Sequence, residues 1–404
     1  MGGNVLVKDV EGKYQKAGKP DFRSISRAEF TRHFLDALKK LDDMHNKMFG
    51  EPIWPSKTRD SLLSSGQAFN GSSEHLFNKQ MSDEEFVEYK PTVGDIDLTV
   101  PHEKLKTIFD LLAKVQGRSI TPNVTYVGQN KEDQGEGHQI NSLFSYKSKR
   151  LDSPINVQID FEGVEYGKTG GPDEFSKFGH SSSWEDIKSG IKGVFHKYIL
   201  RGLAKAASTQ SDAVVLTPKS PLEPPEAIKV AKRTSPLSLL SFSVDRGLRA
   251  NAEQQFLPDG SPVIVNGMRA FKEIPTSSST YARTKKEIFS LIFGEEPVGN
   301  ELQLLDSFVG ILQIMSDHLD DSQIDSVFLD FVNDKLFGQG QALDAYNPEV
   351  DRSAKMGAVS LFMQKFPFLQ SHQDLLEKLQ SEYYKKYKVR VAETFRRRGI
   401  KINA

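Results

Sequence analysis

The sequence predicts an α+β fold, a mixed sheet with helices followed by a mostly helical C-terminal region. Three observations predict it. Between Thr92 and Ala206, segments of strand period alternate with segments of helix period. Between Thr209 and Pro236 lie Pro218, Pro221, Pro224, Pro225 and Pro236, too many for helices or central strands to continue. From Lys285 onward the apolar spacing is helical.

The elements follow in order. The first 25 residues are polar and rich in Gly and Lys, as in an arm or a strand laid over the body. Ser26 and Glu29 form an S-x-x-E capping box, Phe30, Phe34, Leu38 and Leu41 follow at helical spacing, and Gly50 is the stop. A Ser/Gly-rich stretch runs from Ser61 to Ser73. Asp95–Val100 reads as a strand, and 101–115 as an amphipathic helix with Pro101 in its first turn. Strands are expected at Val124–Gly128, Gln139–Tyr146 and Ile155–Phe161, the first two joined by a polar loop or lid over 129–137. One long helix is expected over 184–206. Asp259-Gly260 and Asn266-Gly267 signal hairpins. Helices are then expected at 287–293, 302–318, 323–337, 354–366 and 374–391. This divides the chain into an N-terminal arm and helix (1–60), a catalytic domain (61–206), a Pro-rich linker (207–240) and a hairpin-plus-helical domain (241–404).

Composition excludes several chemistries. The chain has 404 residues, ample for a sizeable core, and no cysteine, so disulfides, thiolate catalysis and cysteine-ligated metals are absent. Its 53 Lys+Arg against 54 Asp+Glu leave a net charge of -1, so any nucleic-acid surface has to be a local patch. No apolar run is long enough to cross a membrane, and Met1-Gly2-Gly3-Asn4-Val5-Leu6 has neither a signal-peptide core nor a myristoylation site. The expectation is a soluble protein of the cytoplasm, the host's if the source is viral.

The informative stretch is Gly94-Asp95-Ile96-Asp97-Leu98-Thr99-Val100. In a strand, Asp95 and Asp97 share one face while Ile96, Leu98 and Val100 share the other. Two same-face carboxylates repel and raise each other's pKa unless a cation lies between them. Ile155-Asn156-Val157-Gln158-Ile159-Asp160-Phe161-Glu162 repeats the pattern, with Gln158, Asp160 and Glu162 opposite the apolar side chains. Three carboxylates on neighbouring strands would suit two Mg²⁺ or Mn²⁺ ions and phosphoryl or nucleotidyl transfer. Upstream, Asn70-Gly71-Ser72-Ser73 reads as a Gly-Ser turn into a short helix, whose N–H groups and Ser hydroxyls suit a triphosphate tail.

Gly71-Ser72, Asp95-Ile96-Asp97 and Asp160 together resemble the polymerase-β-like nucleotidyltransferase superfamily, and the general look of the chain, Trp184 onward included, is similar to nucleotidyltransferases encoded by tailed phages. The match covers Gly71 to Asp160. The resemblance implies a nucleotidyltransferase-like mixed sheet, two Mg²⁺ or Mn²⁺ ions and a nucleoside triphosphate (NTP) such as ATP as donor. It implies that Asp95, Asp97 and Asp160 bind metal, that Asp160 assists deprotonation of the acceptor, and that Gly71, Ser72 and Ser73 hold phosphates. One departure stands out: the gap between Ser72 and Asp95 exceeds the family's usual spacing, as an insertion over 78–89 would explain.

Weaker signals complete the reading. Gly163 to Thr169 is one residue short of a P-loop and is taken as a turn. Lys188, Lys192 and His196 stand at i, i+4, i+8 on the expected helix, which makes Lys192 and His196 the candidates to reach the nucleotide. The tail interleaves Lys385, Lys386, Arg396, Arg397 and Arg398 with Tyr383, Tyr384 and Tyr387, a pattern that suits an RNA or DNA acceptor as well as a solvated helix end. The leading expectation is transfer of NMP from NTP to an acceptor hydroxyl, with an RNA or tRNA 3′ end ahead of a protein or small molecule. The alternatives are an inactive partner- or nucleic-acid-binding protein on the same fold, and a metal-dependent nuclease.

Overall fold

The computed structural model describes residues 5–78, 81–129, 139–179, 182–210, 213–217, 229–231, 237–243, 246–275, 280–338 and 348–397. By contact they fall into two compact units, one of residues 1–194, 341–360 and 380–404, the other of 195–340 and 361–379.

The first unit opens with an antiparallel hairpin of β1 (Leu6–Lys8) and β2 (Tyr14–Lys16). Helix α1 (Arg27–Phe49) starts and stops where its caps predict. The Ser26 hydroxyl accepts the Glu29 N–H, and Gly50 takes the left-handed conformation that lets its N–H reach the Asn46 carbonyl. Then come α2 (Arg59–Ser64), α3 (Gly71–Phe77) and α4 (Asp83–Tyr89). Helix α4 lies within the 78–89 stretch. Strand β3 (Asp95–Pro101) follows. Pro101 ends this strand instead of opening a helix, because its fixed φ of -56° serves extended backbone here. A 3₁₀ turn leads from it into α5 (Leu105–Lys114).

Strands β4 (Ser119–Thr121), β5 (Val124–Gln129), β6 (Gln139–Tyr146) and β7 (Ile155–Val164) complete a five-stranded sheet in the order β3-β7-β6-β5-β4. The β3–β7 pair is parallel and the remaining pairs are antiparallel, so the sheet is mixed. The expected loop over 129–137 lies, beyond Gln129, outside the described residues. One sheet face carries Ile96, Leu98, Val100, Val124, Tyr126, Phe144, Val157, Ile159 and Phe161 into a core shared with Phe30, Phe34, Leu38 and Leu41 of α1 and Ile108 and Leu112 of α5. The N-terminal helix is thus part of the floor beneath the sheet. On the other face the N-terminal hairpin packs Val5, Val7 and Ala17 against Leu143, and the Gly18 N–H donates to the Asn156 carbonyl at 2.7 Å. The arm is laid over the body.

After β7 the chain turns at Tyr166–Pro172, with Gly170 at φ 78°. Helices α6 (Glu174–Gly179), α7 (Trp184–Lys188) and α8 (Gly193–Ser208) follow. The single helix expected over 184–206 is therefore two. Gly190 at φ 71° ends the first turn sequence, and the Ile191 N–H bonds back to the Asp186 carbonyl.

The second unit holds a sheet in which Ala213–Thr217 lies between Lys229–Ala231, antiparallel, and Met268–Glu273, parallel. The stretch read as a linker thus contributes an interior strand, because Ala-Val-Val-Leu-Thr is a β-prone run between the prolines. Those prolines lie outside the described residues. Asn266 and Gly267, at φ 52° and 78°, form the expected hairpin turn between Ile264–Val265 and Met268–Glu273. A helical C-terminal region follows. The helix expected over 302–318 is split into Glu301–Leu304 and Phe308–His318, the second capped by Ser307. That expected over 323–337 is Asp321–Asp330 continued by a π-helical stretch, Phe331–Leu336. Helices Pro348–Lys365 and Gln373–Arg397, parts of which belong to each unit, are the last among the described residues.

Among the described residues no helix is long and apolar enough to cross a membrane.

Candidate functional site

The parallel register of β3 and β7 sets Asp95 beside Gln158, Asp97 beside Asp160 and Thr99 beside Glu162. One ligand oxygen from each of Asp95, Asp97 and Asp160 can be chosen so that all lie within 4.8 Å of one another. Asp160 is buried. Burial, then the charges of Asp95, Glu162 and Asp160, pushes the Asp97 carboxyl well above the usual carboxylate range. Burial and Asp95 push Asp160 up too, against the hydrogen bonds of Gln158. Such a cluster needs either protons or a cation, and its donors are hard carboxylate oxygens, so the residues fit Mg²⁺ or Mn²⁺.

The Asp160 carboxylate and the main chain of Asp95 and Asp97 are held by defined neighbours. Gln158 is buried, donates to both oxygens of Asp160 at 2.9 and 2.8 Å, and accepts the Val5 N–H of the N-terminal arm at 3.0 Å. On the outer edge of β3, Phe69 bridges Leu98, the Asn70 N–H donates to the Asp97 carbonyl at 3.0 Å, and the Thr99 N–H donates to Ala68. This edge pairing brings the start of α3 alongside the aspartates. Gly71 opens α3 at φ 57°, which glycine takes without strain, and Gly71 and Ser72 are half-exposed.

Ser73 requires a correction. It is fully buried, and its hydroxyl accepts the Asp97 N–H at 3.0 Å while donating to the Asp95 carbonyl at 3.3 Å. It fastens α3 to β3 and is not turned toward a phosphate. The far end of α3 is fastened by Arg27, whose buried guanidinium donates to the carbonyls of His75, Leu76, Asn78 and Met81 at 2.7 to 3.0 Å.

Lys192 and His196 part company. His196 is fully buried, its Nε2–H donating to the Leu305 carbonyl at 2.7 Å, and burial lowers it to about 4. It is a core histidine; the helix break at Gly190 separates Lys188 from Lys192 and His196. Lys192 is half-buried and its charge acts on Lys90, together with that of Lys19. Burial and these two neighbours hold the Lys90 ammonium below the usual lysine range, while Asp95 and Asp97 act the other way. Lys90 therefore interacts with both aspartates, and Lys192 and Lys19 act on Lys90. Lys19 arrives there because Pro20 to Phe22 lie antiparallel to Pro91 to Val93, immediately before β3.

Of the tail residues, Lys385, Lys386 and Arg396 are exposed; the Arg397 side chain and all of Arg398 lie outside the described residues. The interleaved tyrosines are corrected. Tyr383 and Tyr387 are buried and stacked on each other at 6.0 Å, with the buried Lys355 ammonium 3.7 Å from the Tyr383 ring centre. At helical spacing they form a packed face and not a surface for bases.

Sequence reasoning missed Lys19, Lys90, Asn70 and the part played by Gln158. Only Gln158 left a signal, standing two residues from Asp160 on the same strand face. No protein-family model, curated protein or solved structure matches the chain.

Proposed function

We propose that the chain is a metal-dependent nucleotidyltransferase of the polymerase-β-like kind, moving a nucleoside monophosphate from an NTP to an acceptor hydroxyl. The observation that carries the reading is the register of β3 and β7, which gathers Asp95, Asp97 and Asp160 into one set of oxygen ligands. These three would hold Mg²⁺ or Mn²⁺, which when bound supplies charge to activate the acceptor hydroxyl and steady the departing pyrophosphate. Gly71 and Ser72 offer the half-exposed first turn of α3 to the phosphates, and Lys90, Lys192 and Lys19 supply positive charge beside them. The acceptor oxygen bonds to the α-phosphorus, the bond to the bridging oxygen of pyrophosphate breaks, and the hydroxyl proton passes to the carboxylate cluster. A nucleic-acid 3′ end is the acceptor we favour, on the exposed Lys385, Lys386 and Arg396.

The test is a labelling screen with each α-labelled NTP, Mg²⁺ or Mn²⁺, and total cellular RNA and protein. Labelled product from wild type and none from Asp95→Ala/Asp97→Ala supports the reading. Equal signals from the two, for every metal and acceptor, overturn it in favour of a binding protein. Cleavage of a labelled oligonucleotide without NTP reassigns the site to a nuclease.

A further inference from the structure

Asn70 is 2% exposed, and its Oδ1 is buried with no hydrogen-bond partner. This is anomalous. Asn70 is the N-cap of α3, where an asparagine ordinarily accepts an N–H from the first turn, yet its side chain makes no capping bond. The Ser73 N–H goes to the Asn70 main-chain carbonyl instead, at 3.1 Å. The side-chain amide is turned by Glu162, whose Oε2 accepts the Asn70 Nδ2–H at 2.8 Å. A carboxylate there selects the NH₂ end of the amide and leaves the oxygen end over. Glu162 stands two residues from Asp160 on β7, and its charge acts on Asp97 and Asp160, so the pair belongs to the carboxylate face. The fixed, unsatisfied group is an acceptor, and its complement is an O–H or N–H donor.

Position narrows the donor. Asn70 directly precedes Gly71-Ser72, the turn assigned to the phosphates, so its Cα is only about 3.8 Å from that of Gly71. Counting outward from a triphosphate, the next donors on a nucleotide are the sugar hydroxyls; the base amines lie farther away. We propose that Asn70, oriented by Glu162, accepts a hydrogen bond from a ribose hydroxyl of the bound nucleotide and so selects ribonucleotides. This rests on the nucleotidyltransferase reading of the site. A site with a buried acceptor left unpaired rejects a ligand lacking the matching donor far more strongly than an apolar pocket would.

The experiment is a binding titration, followed by thermal shift or calorimetry with Mg²⁺, of each NTP and its 2′-deoxy and 3′-deoxy forms. Wild type is expected to bind one of the deoxy forms at least about tenfold more weakly than the parent NTP. Asn70→Ala is expected to bind all three alike, at the level of the poorer ligand. Glu162→Gln retains an oxygen for the Asn70 amide and is expected to keep the preference. Asn70→Ser, which can still cap α3, replaces the alanine variant should that fail to fold, with the same expectation. Wild type binding all three forms within about twofold, or Asn70→Ala keeping the preference, overturns the inference alone. No binding of any nucleotide overturns the reading of the site beneath it.

Discussion

Gln158 donates to both carboxylate oxygens of Asp160, at 2.9 and 2.8 Å. These bonds favour the ionised form and oppose the burial that raises Asp160. In Gln158→Leu the carboxyl moves further up, and a cation must displace a proton held more tightly. Mn²⁺ binding should weaken roughly 10–100-fold at pH 7, and its pH midpoint should move upward. Calorimetric titration of Mn²⁺ across the pH range checks this; an unmoved midpoint counts against it.

Asp97 makes the opposite case for stability. Its carboxyl is raised from 3.8, so the metal-free folded state binds a proton more tightly than the unfolded chain does. Stability in chelator should therefore fall as pH rises from about 4 through the folded-state value. Asp97→Asn should flatten that fall, raise Tm in EDTA at pH 7, and abolish the gain in Tm on adding Mg²⁺. A lower Tm in EDTA would contradict the charge argument.

Lys90 and Lys192 separate metal from nucleotide. Replacing Lys90 with Met removes a positive charge that acts on Asp95, and replacing Lys192 removes one that acts on Lys90. NTP binding should weaken by about tenfold, more at low salt than at high, while Mn²⁺ alone binds as well or better. Equal weakening of both ligands would mean that the substitution had disturbed the fold.

Arg27→Met should destabilise the first unit by about 3 kcal/mol, since it leaves several buried carbonyls without a donor. Urea unfolding reads the loss directly. Mn²⁺ affinity should fall with it, because α3 is fastened to β3 through Ser73.

His318 in the second unit lies between Glu295 and Glu301, at 2.5 and 2.6 Å from its two ring nitrogens. Burial lowers its pKa, but the hydrogen bonds and charges of the two glutamates outweigh it and the net shift is upward from 6.5. The stabilisation is thus complete below pH 6.5 and is lost as pH rises through the folded-state value. His318→Leu should cost about 2 kcal/mol below pH 6.5 and progressively less as pH rises through the folded-state value. Tm measured against pH for the two proteins checks it; parallel curves would refute it.

Much of the site was legible because strand alternation is a strict rule. A period of two puts Asp95 with Asp97, and Asp160 with Gln158 and Glu162, whatever else the chain does. The end caps of α1 were legible for a similar reason: Ser26 and Gly50 act on their nearest neighbours. What escaped depends on distant partners. Whether a helix passes through Gly190 or stops is decided by packing, and so is the burial of His196 against Leu305. Tyr383 and Tyr387 look alike in sequence whether they face bases or each other. Lys19 comes within electrostatic reach of Lys90 only because residues 20–22 pair with 91–93, a register set by the folded arm.

The hairpin at residues 6–16 has a practical meaning for anyone handling this protein. Its neighbour Val5 is one bond from Gln158 and two from Asp160, so the start of the chain works as a tuning screw on the carboxylates. A tag fused there would turn it. A fragment begun at residue 61 would keep all three aspartates and lose the screw, Lys19 and the α1 floor together.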